Sequence, residues 1–237
     1  MNCFGHWAES GIITSLERLS NMGFETIVEL KTQGQKAIQY MDERDYKIRA
    51  LNIVYFEGLN TDLATINDDR IDSWNDVRSV ISDDGEVLMC CSSTSEPGWY
   101  YRRKPLNPNG AAQLAFGQHL DAWRIGDHKG QDALVQCGNL KIYRDKNADG
   151  SRKGDVVFVG DNFGLNQHTT SRDPQYVGQW SAGCLVGRYP STHAKFMQIC
   201  RAMGLETFDS TLIDGSDFVM SGKADLGKLP ALGKSLY

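Results

Sequence analysis

One histidine and one cysteine stand in the two most informative stretches of the chain, Phe163-Gly-Leu-Asn-Gln-His-Thr-Thr170 and Val177-Gly-Gln-Trp-Ser-Ala-Gly-Cys-Leu-Val-Gly-Arg188. A cysteine that attacks an acyl carbon needs a base for its proton and backbone N–H groups aimed at the developing oxyanion. Gly183 lets the chain turn sharply just before Cys184, and Ser181 and Ala182 keep the approach uncluttered. His168 lies 184 − 168 = 16 residues upstream, a separation that a loop returning to a neighbouring strand can close. Such a pair is expected to lower the thiol pKa and supply a thiolate at neutral pH. On these residues alone two readings stay open: a nucleophile with its base, or a small buried cysteine beside a satisfied loop histidine.

Other candidates have plainer readings beside the chemical one. His128, in Gly126-Asp127-His128-Lys129-Gly130, is a rival base, but Asp127 and His128 on an extended segment point to opposite sides, and a polar turn is expected. Trp180 either walls a substrate groove or covers the core. His193 caps or packs near a helix, while His6 and His119 have no supporting context. Asp145, Asn147 and Asp149, followed by Gly150, open like a calcium loop. The twelfth position is Val156, with Asp155 one residue earlier, and a hairpin turn needs the same Asp, Asn and Gly residues. Calcium is thus a possible ligand, and the expected chemistry requires no cofactor.

The elements that must carry these residues follow from periodicity. Residues 9–48 read as helical, with Ile12, Ile13, Leu16, Leu19 and Met22 on one face, Gly23 as a stop and a second pattern weakened at Gly34. Short apolar runs then suggest strands at Asn52–Phe56, Val87–Cys91, Leu120–Ile125, Ala133–Gln136, Lys141–Tyr143, Val156–Val159, Phe163–Gln167 and Cys184–Val186. A helix is expected at Ser191–Ala202, then strands at Ser210–Ile213 and Phe218–Met220 before a loosely held tail. The class is α+β and predominantly antiparallel, since the βαβαβ alternation is missing. The expected division is a helical extension over 1–48, a catalytic domain over 49–205 and strands with a tail over 206–237.

Composition removes several classes. The chain has 237 residues, 41 % hydrophobic, with net charge −5, which fits one globular domain with extensions. No apolar run approaches the roughly 18 residues of a membrane helix, so no membrane insertion is expected. The start shows no basic segment followed by an apolar one, so no secretory signal is visible. Tyr100-Tyr101-Arg102-Arg103-Lys104 is the only dense basic cluster; it reads as a solvated turn, and nucleic acid is not an expected partner. Six cysteines without CxxC or a Cys/His ladder suggest neither a disulfide scaffold nor structural zinc. Oligomeric state is not legible.

His168-Thr169, Val177-Gly178 and Ser181-Ala182-Gly183-Cys184 together resemble the catalytic signature of the L,D-transpeptidase catalytic-domain (YkuD-like) family. Gly164-Leu165-Asn166-Gln167-His168 is similar to its phage and bacterial branch with a Ser-Ala-Gly-Cys motif, and the likeness is strongest over residues 110–200. The resemblance implies that fold, with N-terminal helices and one helix after the catalytic strand. It also implies Cys184 as thiolate nucleophile, His168 as base, the Thr169 carbonyl orienting the imidazole, and the Gly183 and Cys184 amides as oxyanion donors. Ser181, Trp180, Arg188 and Gln167 are the expected substrate contacts. The family usually has histidine where Ala182 stands and arginine where Val186 stands, so substrate contacts should differ; Arg188 is the candidate replacement. Family members act on bacterial peptidoglycan through a thioester, which water hydrolyses or an amine converts to a cross-link. The expectation here is hydrolysis by a phage endolysin or similar lytic enzyme, made in the host cytoplasm and acting on the wall after release. The alternatives are a cross-linking transpeptidase and a non-catalytic wall-binding or virion protein.

Overall fold

The computed structural model describes residues 24–224, with side chains described from 29 to 221. The expected helical face from Ile12 to Met22, the Gly23 stop, His6 and the tail beyond 224 lie outside the described residues. In chain order the strands are Leu51–Glu57 (β1), Asp76–Ser82 (β2), Val87–Thr94 (β3), Ala111–Leu114 (β4), Gly117–His128 (β5), Gln131–Gln136 (β6), Leu140–Asp145 (β7), Val156–Gly160 (β8), Gln167–Thr169 (β9), Leu185–Gly187 (β10) and Phe208–Asp214 (β11). The described helices are Phe24–Asp42 (α1), Trp99–Arg103 (α2), Pro190–Ala202 (α3) and Gly215–Ala224 (α4). The class is α+β and strand-rich. None of the described helices is long and apolar enough to cross a membrane.

Eight strands close into a barrel in the order β1-β11-β5-β6-β9-β10-β3-β2, and β4-β7-β8 form a separate antiparallel sheet beside it. Most pairings are antiparallel, but β1 runs parallel to β11 and β9 parallel to β10. Closure gives every barrel strand two neighbours, although β6 meets β9 only at Leu134 and Gln167 and β3 meets β10 only through Ser93 and Thr94. β1 is buried along its whole length because both its faces are covered. Leu51, Ile53 and Tyr55 face the main core with Trp123, Leu134, Leu185 and Phe196, while Val54 and Phe56 join a second core with Ala37, Tyr40 and Met41 of α1 and Phe218 of α4. A two-sided strand reads as a continuous apolar run, which is how β1 was legible.

Several expectations need correction. Gly34 does more than weaken α1: a Cβ there would stand 2.2 Å from the Gly85 carbonyl oxygen, so glycine is what lets the helix lie on the β2–β3 turn. Phe218–Met220 belongs to α4, not to a strand; the Asp214 carboxylate accepts the Ser216 and Asp217 N–H groups, a helix N-cap. Residue 205 is no boundary for the sheet, because β11 sits between β1 and β5 in the barrel. Of Phe163–Gln167 only Gln167 is in a strand. The Tyr100–Lys104 cluster overlaps α2, whose Arg102 is buried and paired with Asp145 at 2.6 Å and Glu96 at 3.0 Å. β2 and β4 were not expected from the apolar runs.

Candidate active site

The parallel pair β9–β10 brings the two chemical stretches together. His168 lies opposite Val186 in register, which places Cys184 one residue before β10 and beside β9. Leu185 donates its N–H to the Asn166 carbonyl, holding the two strand entries side by side. The turn that presents Cys184 needs glycine at 183: φ is +126° there, and a Cβ would fall 2.5 Å from the Ala112 carbonyl oxygen of β4. Ser181, fully buried, accepts the Gly183 N–H at 3.1 Å and donates to the Cys184 carbonyl at 2.8 Å, while its own carbonyl accepts the Gly98 N–H.

His168 is 5 % exposed, and its Nδ1 lies 2.9 Å from the Thr169 carbonyl. That carbonyl can only accept, so Nδ1 carries the proton and Nε2 presents a lone pair. The second histidine of the site is His128, at the end of β5. Its ring stacks on His168 with centroids 4.4 Å apart and planes 27° apart. Ligand-capable atoms of His128, His168 and Cys184 all lie within 4.8 Å of one another. Asn166 fixes the His128 tautomer. Its Oδ1 accepts the Gln136 backbone N–H at 2.9 Å, so its Nδ2 faces His128 Nδ1 at 2.8 Å as a donor. His128 Nδ1 is therefore the acceptor, and Nε2–H is left as a neutral donor. The expected polar turn at Asp127 and His128 is half of the picture: Asp127 does turn away, taking the Gly130 N–H at 2.9 Å, while His128 turns into the site.

Electrostatics correct the expected resting thiolate. Burial pushes the Cys184 thiol up from its ordinary value, opposed by the Asn166 backbone N–H pointing at the sulfur. The thiol contacts the Gly164 carbonyl at 3.5 Å. Burial pulls His168 down to about 4; the Thr169 carbonyl opposes this, and His128 and Arg78 add to it. His128 is lowered as well, by burial and then by Lys129. The resting site is thus a neutral thiol beside neutral imidazoles.

Arg78 of β2, invisible to the sequence reading, holds this arrangement in place. It is fully buried. It donates to Tyr55 Oη at 2.7 Å and to the His168 carbonyl at 3.0 Å, and it meets His193 Nδ1 at 2.9 Å. Its guanidinium lies 4.4 Å from the Phe196 ring centroid. His193, on α3, donates its Nε2–H to the Asp132 carbonyl at 2.8 Å.

The cleft over Cys184 encloses about 390 Å³ and is walled by His128, His168, Trp180, Tyr101, Phe163 and Arg144 among others. Of the expected substrate contacts, Trp180 lines it. Gln167 does not: it is buried inside the barrel between Tyr55 Oη at 3.1 Å and Ser210 Oγ at 2.7 Å. Ser181 shapes the turn instead of facing substrate. Arg188 pairs with Asp173 at 2.7 Å and lines a different groove with Trp99 and Tyr176. The Gly183 N–H is taken by Ser181, so of the two expected oxyanion amides only that of Cys184 is left as a candidate. The candidate calcium loop at Asp145, Asn147 and Asp149 is partly engaged within the protein, while the buried Asp145 Oδ1 has no hydrogen-bond partner. Asp145 turns inward to Arg102 and the Gly150 N–H, and Asn147 and Asp149 bond each other at 2.8 Å.

Among the described residues, His128, His168 and Cys184 form the one cluster of three metal-capable side chains, a His₂Cys set of the kind zinc accepts. His168 suits a ligand role, with Nδ1 tied to a carbonyl. His128 does not, because a metal on Nε2 would move the proton to Nδ1 against the Asn166 amide hydrogens. The five described cysteines are free thiols. No family model, no curated protein and no solved structure matches this chain.

Proposed function

We propose that the protein is a cysteine-dependent peptidase of bacterial peptidoglycan, similar in mechanism to the L,D-transpeptidase family that its motif resembles and lytic in the manner of a phage endolysin. The observation that carries this reading is the lone pair of His168 Nε2, fixed by the Thr169 carbonyl beside the half-buried Cys184 at the floor of a cleft. Because both partners rest uncharged, the thiol proton moves to Nε2 as sulfur attacks the acyl carbon. His168 then gives that proton to the leaving amine, the peptide C–N bond breaks, and the acyl group remains on sulfur as a thioester. Water attacks the thioester, His168 takes its proton, and the acid leaves while the thiol re-forms. The His128 Nε2–H and the Cys184 amide are the donors available to the oxyanion. An amine in place of water would give a cross-link, the second outcome of the same intermediate.

Purified sacculi incubated with the wild type should release new muropeptides, and Cys184→Ala should release none. Product mass separates hydrolysis from cross-linking. A chelator should leave the release unchanged, whereas micromolar zinc should inhibit by occupying His168 and Cys184. Activity lost to chelation and restored by zinc would replace the thiol mechanism with metal chemistry. Absence of any muropeptide change would favour a binding protein.

A further inference from the structure

Arg144 is out of place for an ordinary surface arginine. It sits on β7, half-buried in the wall of the Cys184 cleft, and its Nη1 finds only the Gly110 carbonyl at 3.3 Å. Its guanidinium lies 5.7 Å from the Phe163 ring centroid. None of the ion pairs among the described residues includes it; Arg103, Arg124 and Arg172 are also outside those pairs but exposed, and the buried Arg78 is fully engaged by hydrogen bonds. Lys129, at the tip of the β5–β6 hairpin with φ +55°, lines the same cleft, and it too has no carboxylate partner in those pairs. No aspartate or glutamate lines the cleft, although the chain carries a net charge of −5. Register puts the arginine next to the chemistry: Arg144 pairs with Ala112, and Ala112 is the residue against which the Gly183 turn is pressed. Withdrawing a guanidinium from water without a counter-charge is unfavourable unless a ligand supplies one. A planar fork with free donors matches a carboxylate best.

We propose that Arg144, assisted by Lys129, is a carboxylate subsite of this cleft, selecting peptides that carry a free carboxylate next to the scissile acyl group. The inference rests on the peptidase reading for its biological meaning but has a test that does not need turnover. Iodoacetate and iodoacetamide both alkylate a thiol with loss of iodide, and they differ in a carboxylate against an amide. Their rates are read by mass spectrometry on the peptide that carries Cys184, with the half-exposed Cys137, outside the cleft, as internal reference. In the wild type the iodoacetate-to-iodoacetamide ratio at Cys184 should exceed that at Cys137. In Arg144→Gln it should fall by about fivefold, the effect of losing one partly screened ion pair, with the Cys137 ratio unchanged. Arg144→Lys, which keeps the charge, should fall less, and Lys129→Gln should fall by a smaller factor. High salt should shrink the wild-type excess. A Cys184 ratio that is the same in wild type, Arg144→Gln and Lys129→Gln overturns the subsite.

Muropeptides then separate the two proposals and identify the carboxylate. Loss of cleavage on converting the terminal carboxylate to its amide assigns the terminal group, and loss on amidating a side chain assigns that one. Cleavage indifferent to both overturns the subsite while the peptidase reading stands. A responsive alkylation ratio with no cleavage of any muropeptide keeps the subsite and removes the peptidase reading.

Discussion

At the scale of single residues, proton positions decide what the site does. Thr169 and Asn166 each fix one imidazole tautomer, and the two rings then differ in role although they stack: His168 accepts and His128 donates. Burial keeps His168 near 4 and holds the Cys184 thiol above its usual value, so no ion pair waits in the resting cleft. Iodoacetamide alkylation of Cys184 should therefore climb only above the ordinary thiol value of about 8.5. Turnover should be flat between about pH 6 and 8 and fall toward 4, as His168 takes up a proton and ceases to be a base. An alkylation midpoint well below neutrality would show a standing thiolate and overturn this account. The sequence reading singled out Cys184, His168 and Thr169, which the fold brings together, because glycine, a small-residue approach and a motif mark them. It missed His128 as a partner because its supports, Asn166 and Gln136, are 166 − 128 = 38 and 136 − 128 = 8 residues away and have no pattern of their own.

At the scale of elements, the site hangs on two three-residue strands, β9 and β10, too short to hold a geometry through their own ladder. Arg78 supplies the missing rigidity by donating to the His168 carbonyl on β9 and the Leu185 carbonyl on β10. Arg78→Met leaves these acceptors and Tyr55 Oη without their donor and should cost about 2–4 kcal/mol in denaturant unfolding. Arg78 acts through His168, so it is a positioning residue with a further signature. Removing its positive charge should move the acid limb of the pH–rate profile upward from about 4, which a purely structural loss would not do. An acid limb that stays in place in folded Arg78→Met would refute that role. The same residue explains why β2 escaped the sequence reading: Arg78, Ser79 and Asp76 are buried but polar, so burial left no apolar period to see. Phe218–Met220 failed for another reason. Three apolar residues cannot distinguish strand from helix, and the capping role of Asp214 was the overlooked signal.

At the scale of the whole molecule, the β4-β7-β8 sheet, which carries Ala112 and Arg144 to the cleft, is fastened to the barrel by buried charge. Arg152 grips Glu57 of β1 through both guanidinium nitrogens at 2.6 Å, and Arg102 of α2 holds Asp145 of β7. Next to Glu57 lies Asp76, 2 % exposed, whose Oδ2 is 2.8 Å from Ser95 Oγ; the same hydroxyl is 3.0 Å from Glu57 Oε2. Asp76 also accepts the Gly58 N–H at Oδ1 and the Ser95 N–H at Oδ2, which favour its charged form. Burial, then repulsion from Glu57 and Glu96, outweighs these donors and holds the Asp76 carboxyl well above its usual range. The folded chain therefore keeps a proton that the unfolded chain releases near about 3.9, and stability falls as pH rises through that interval. The depressed histidines, His168, His193, His119 and His128, act in the opposite sense below about 6.5, because the unfolded chain binds their protons first. A single melting curve against pH would mix the two. Subtracting Asp76→Asn cancels the histidines, and although asparagine loses the acceptor for the Ser95 N–H, that loss is independent of pH. The wild type's Tm advantage over Asp76→Asn should shrink as pH rises above about 4. A difference that stays constant as pH rises from about 4 to neutrality would mean that Asp76 is ionised in the fold, and that the barrel and its attached sheet are joined by an ordinary set of ion pairs.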